Sequence, residues 1–198
     1  MRNWRARLTP PQQRIYDRST AISAVPLSPT TQLFSATQAL EAALAAEEEQ
    51  QVHALAQTIV NHICARLSVR TIRVQIQGVR PSNRRGELHG LYTQYAGGSE
   101  KDSIQVWMRT AKRGQVVAFR TFLRTLLHEV CHHLDYVYFN LRESYHTEGF
   151  FQRESSLFYA VTKQPATETP ERPPIQSLSS MVESILANRH QKTGEVKN

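Results

Sequence analysis

Cysteine is almost missing from this chain. Cys64 and Cys131 are the full complement, too few for a disulfide framework or a four-cysteine zinc ribbon, so the expectation is two buried, reduced thiols. Long apolar runs are missing too. No stretch of 18 or more apolar residues occurs, and the basic N-terminus is not followed by the apolar segment of a signal peptide. These absences predict a protein without membrane spans, working in the cytoplasm. Acidic residues are the scarcer charge, 17 against 24 basic ones, for a net charge of +7. That balance favours acidic partners, nucleic acid among them, and equally favours plain solubility.

What is present suits one folded unit. A length of 198 residues, 40% of them apolar, is enough for a single core. Residues 1–35 are polar, carry Arg2, Arg5, Arg7, Arg14 and Arg18, and are interrupted by Pro10, Pro11, Pro26 and Pro29. They read as a disordered basic arm. Residues 36–162 hold the periodic patterns of a folded domain. Residues 163–198, with four further prolines, read as a flexible tail that holds at most a short helix over Ser177 to Asn188.

Within the central region the apolar period changes twice. From Thr37 to Leu67 apolar residues recur at helical spacing, and the run Glu47, Glu48, Glu49 is either a solvated face or a break between two helices. Alternation then predicts strands over Thr71 to Gln77, Leu88 to Tyr92 and Ser103 to Thr110. A helical period returns over Val116 to Phe139 and again over Gly149 to Val161. The expected fold is α+β: a small, mostly antiparallel three-stranded sheet packed with the Val116 to Phe139 helix and its flanking helices.

That helix carries His128-Glu129-Val130-Cys131-His132. Residues four apart share one helix face, so both imidazoles can meet one metal ion, with Glu129 beside it. This is the H-E-x-x-H pattern of zinc peptidases, in which the carboxylate takes a proton from the attacking water. With 8 His in 198 residues, random order would produce it roughly 0.02 times in such a chain. Catalytic zinc usually has three protein ligands. The short metzincin spacing would place the third at Tyr138 and fails; downstream, His146 is the histidine candidate, and Glu154 and Glu143 are carboxylate rivals. Imidazole is the commoner partner, which favours His146. Asp135, three residues after His132, could accept a hydrogen bond from an imidazole N–H.

The run His128-Glu129-x-x-His132, thirteen residues, then His146 followed by Gly149 and Phe150 resembles the SprT-like metallopeptidases. Gly90-Leu91-Tyr92 and Ile104-Gln105-Val106-Trp107 look like the strands that precede the active helix in that family, so the resemblance covers about Val69 to Val161. It implies a minimal zincin-like fold, Zn2+ on His128, His132 and His146, and Glu129 as general base in peptide-bond hydrolysis. It also implies protein substrates, DNA-bound proteins among them. Tyr145 is a candidate donor to the oxyanion, and the Ser103 to Thr110 strand, if it lies at the sheet edge, could align an extended peptide. Two other readings stay open: a regulatory peptidase that cuts one partner, and a non-catalytic binding module whose zinc is closed by Glu154 or Asp135.

Overall fold

The helix that carries the motif, α4 (Phe119–Val137), is the element on which the others converge. Its Phe122, Leu123, Leu126, Leu127, Val130 and Leu134 are buried, which fixes the helix in the core by one apolar stripe. The structure is a computed structural model that describes residues 4–84, 86–95 and 102–165. The fold is α+β, as expected.

The acidic run is a break. Helix α2 (Thr31–Ala45) ends before it, α3 (Glu49–Arg66) starts within it, and Glu47 takes a left-handed φ of 60° at the reversal. The two helices pack on each other, and α3 lies against β1 (Arg73–Val79). After β1 comes a two-residue hairpin, β2 (Ser82–Asn83) with β3 (Gly86–Glu87), then β4 (Gly90–Thr93) and β5 (Ser103–Arg109).

The three-stranded sheet has the order β1-β5-β4. It is mixed rather than mostly antiparallel: β1 runs parallel to β5 in the register Arg73↔Ser103 to Val79↔Arg109, and β4 runs antiparallel to it. The reason is a reversal between them. The chain turns back through β4, so β5 re-enters in the same sense as β1 and fills the centre. Ile104, Val106 and Met108 are buried there, and so is Trp107, which alternation had placed on the opposite side. A central strand covered on both faces reads as a nearly continuous apolar run. The condition for the Ser103 to Thr110 strand to align a peptide, a place at the sheet edge, is therefore not met: β5 is internal, and β1 and β4 are the edges.

The largest correction concerns residues 1–35. From Trp4 onward the segment is ordered: a 3-10 turn (Trp4–Arg7), helix α1 (Pro10–Ala21), and an extended stretch that buries Val25 and Leu27 before α2. Pro10 and Pro11 stand in the first turn of α1, where the missing N–H had no helical partner to lose. Polar contacts join apolar burial in anchoring it, and composition does not register them. Helix α5 (Glu148–Thr162) supplies Arg153, fully buried, whose Nη1 donates to the carbonyls of Ser19 at 2.8 Å and Ile22 at 2.6 Å. Gly149 permits this approach, since a Cβ there would lie 2.3 Å from the Ser19 carbonyl oxygen. Beyond residue 165 the expected tail, and with it the Ser177 to Asn188 helix, lies outside the described residues, as does the turn at Gly97-Gly98.

Candidate metal centre

Among the described residues one grouping of metal-ligating side chains forms, and it is His128, His132 and His146. The first two project from one face of α4. His146 comes from the connection that leads into α5, where Thr147 caps the helix by accepting from the Phe150 N–H at 3.1 Å. That cap ends the connection at a fixed point, and Phe150 packs its ring against all three imidazoles. His146 Nε2 lies 2.9 Å from His128 Nε2 and 3.1 Å from His132 Nε2.

The outward-facing nitrogens decide what this arrangement can do. His128 Nδ1 lies 3.2 Å from Glu154 Oε2, and His132 Nδ1 lies 2.7 Å from Ser144 Oγ. The Ser144 hydroxyl donates to Asp135 Oδ2 at 2.7 Å, so it accepts from His132. These partners assign the ring protons to Nδ1 and leave Nε2 lone pairs aimed at the shared point. Burial first, then the neighbouring His128 and His146, push His132 down to about 3, and burial lowers His146 as well. Imidazole lone pairs that converge on one point repel one another and are relieved by a cation. The donor set fits zinc, which binds imidazole nitrogen and takes three protein ligands when a position is left open.

Glu154 and Asp135 therefore stand behind the imidazoles. Glu154 also receives Arg124 Nη1 at 2.9 Å; burial alone would raise its carboxyl, but the bonds from His128 and Arg124 hold it below its ordinary value. Asp135 reaches His132 through Ser144 rather than directly, and its other oxygen accepts from Arg153 Nη2 at 2.9 Å. Glu143, the remaining carboxylate rival, accepts from Gln12 and Tyr145. Tyr145 itself packs on Trp4 and Tyr16, on the α1 side, and does not line the cleft. It is not placed to meet an oxyanion there.

Glu129 lines the same cleft, about 750 Å³ in volume, that holds the three histidines. Its carboxylate is held by β4: the Tyr92 backbone N–H donates to it, and Gly90 lies so close that a Cβ would fall 2.4 Å from Oε1. Burial pushes the carboxyl up to about 7, against the opposing pull of His128 and the Tyr92 amide. Strand β4 is fixed in turn by Asp102, which accepts from the Tyr92 hydroxyl, the Tyr95 N–H and Arg70.

No protein-family model, curated protein or solved structure matches this chain. Position by position, the structure brings His128, Glu129, His132 and His146 together and sets Glu154 one layer back. Sequence reasoning missed Gly90, Ser144 and Arg153. Ser144 had a readable signal, a hydroxyl two residues before the third histidine. Gly90 reads in sequence only as part of a strand and Arg153 carries no signal, because their roles depend on contacts across the fold. Among the described residues no helix is long and apolar enough to cross a membrane, and both cysteines are free and buried.

Proposed function

We propose that this protein is a zinc-dependent metallopeptidase, of the kind its SprT-like resemblance implies, that hydrolyses peptide bonds in protein substrates in a reducing cytoplasm. One observation carries the reading: three Nε2 atoms converge on one point of an open cleft that also holds the buried carboxylate of Glu129. His128, His132 and His146 would hold the ion. Bound zinc supplies Lewis acidity, bringing the pKa of a water toward about 7 and polarising a carbonyl.

The rest belongs to the chain. Glu129 accepts the proton of the attacking water on its carboxylate and returns it to the leaving amine. The Tyr92 amide and the bare Gly90 backbone keep that carboxylate in place. Glu154 and Ser144 keep His128 and His132 in the tautomer that presents Nε2. The outer edge of β4, which has no strand beside it in the described sheet, suits main-chain pairing with an extended substrate. A structural zinc would need a fourth protein ligand, and the engagement of Glu154 and Asp135 elsewhere weighs against that alternative.

The test measures bound zinc and cleavage of an unfolded protein for wild type and Glu129→Gln, with and without DNA. We expect about one zinc per chain in both proteins and a loss of cleavage on the order of 10²- to 10⁴-fold in the variant, the span typical of a general base. Wild type without zinc would overturn the site. DNA-dependent cleavage would identify DNA-bound proteins as the substrates, and its absence would favour a narrow regulatory target.

A further inference from the structure

A second groove, about 330 Å³, opens between α1 and the segment that follows α4, and shares no residue with the metal cleft. Its floor is apolar, from Pro11, Ile15 and Leu141, and three guanidinium side chains line it: Arg14 and Arg18, one turn apart on α1, and Arg142. No carboxylate lines it. The acids nearest in sequence are committed elsewhere, Asp17 to Arg5 and Glu143 to Gln12 and Tyr145. Arg18 is steadied by donating Nη2 to the Phe139 carbonyl at 2.7 Å. Arg14 and Arg142 make no ion pair or side-chain hydrogen bond among the described residues, and both are exposed.

Three like charges gathered on one small groove repel one another, and a bound anion removes that cost. Arginine rather than lysine narrows the anion. Its planar fork donates two parallel hydrogen bonds, the geometry of phosphate and carboxylate oxygens. Several forks around one pocket suit a group that offers oxygens in several directions. We propose that this groove is an oxyanion site that takes a phosphoryl group, free or carried on a phosphodiester strand, with the attached body resting on Pro11, Ile15 and Leu141. The bound group ties α1 to the 139–147 segment, the one that carries Ser144 and His146. The site does not depend on the metal reading.

The experiment titrates full-length protein with inorganic phosphate at constant ionic strength against a chloride control, following thermal melting and the Nε–Hε signals of the arginines by NMR. Wild type should show a saturable rise in melting temperature with phosphate and none with chloride. Arg14→Ala/Arg142→Ala should bind at least about tenfold more weakly, as expected when charge-assisted bonds are removed. Arg14→Lys/Arg142→Lys keeps the charge, and it should recover only part of the affinity. His146→Ala should bind phosphate like wild type; loss of the effect in that variant would place the anion on the histidine cluster and overturn the proposal. Equal affinity in the double alanine variant, or no saturable binding in wild type, would overturn it too. A short oligothymidylate that binds more tightly than phosphate assigns the group to a strand, and weaker binding assigns it to a free phosphate.

Discussion

The two walls of the cleft that holds the three histidines are built differently. On the helical wall, each imidazole of α4 is backed by a polar partner that is itself anchored: His128 by Glu154 and Arg124, His132 by Ser144, Asp135 and Arg153. The chain of contacts ends on the carbonyls of Ser19 and Ile22, at the C-terminal end of α1. The strand wall is thin. It consists of β4, four residues long, paired with β5 and tied to Asp102 through the Tyr92 hydroxyl, and of the residues just before it; Leu88 and Leu91 are exposed to solvent. One wall holds its side chains still and the other lies open to solvent. A metal site demands the first property and an extended substrate the second.

Substitutions on each wall put the difference to the test. The largest stability effect belongs to the helical wall. Arg153→Met strands the buried Asp135 carboxylate and should cost about 3–5 kcal/mol, read as a lower midpoint in chemical denaturation. Gly90→Ala attacks the meeting of the two walls. The new Cβ would push the Glu129 carboxylate aside, so cleavage should fall on the order of 10²-fold with zinc content unchanged. In a Glu129→Ala background the same change should leave the melting temperature nearly untouched, which ties the effect to that contact. Ser144→Ala removes the acceptor of His132 Nδ1 and should weaken zinc binding by about 10- to 100-fold, measured by competition with a chelator. Leu91→Ser, on the strand wall, should change stability by no more than about 0.5 kcal/mol while raising KM for an unfolded substrate. If Leu91→Ser destabilised the protein as much as Arg153→Met, the two walls would not differ as described.

The same contrast explains what was legible in the sequence. Local patterns were readable: the α4 stripe, the i, i+4 histidines and the alternation of β1 and β5 all follow from periods of 3.6 and 2. His146 was legible as a residue type at a workable distance. Sheet order was not, because the alternation of β5 does not tell whether its neighbours run parallel or antiparallel. Neither was the ordering of residues 4–35. That segment is polar, and its anchor, Arg153, sits more than a hundred residues away with no pattern to link the two. Composition measures the apolar area a segment can bury; it does not register carbonyls that wait for one buried guanidinium.

The bonds between Ser19 and Arg153 span 134 positions of sequence. Contacts of that separation form late, because a long loop must close before they contribute. During synthesis α1 leaves the ribosome among the first elements, and the residue that secures it is among the last of residues 4–165 to emerge. His146 and Glu154 emerge in that same final stretch. A growing chain thus lacks the complete His128, His132 and His146 grouping until that stretch has emerged.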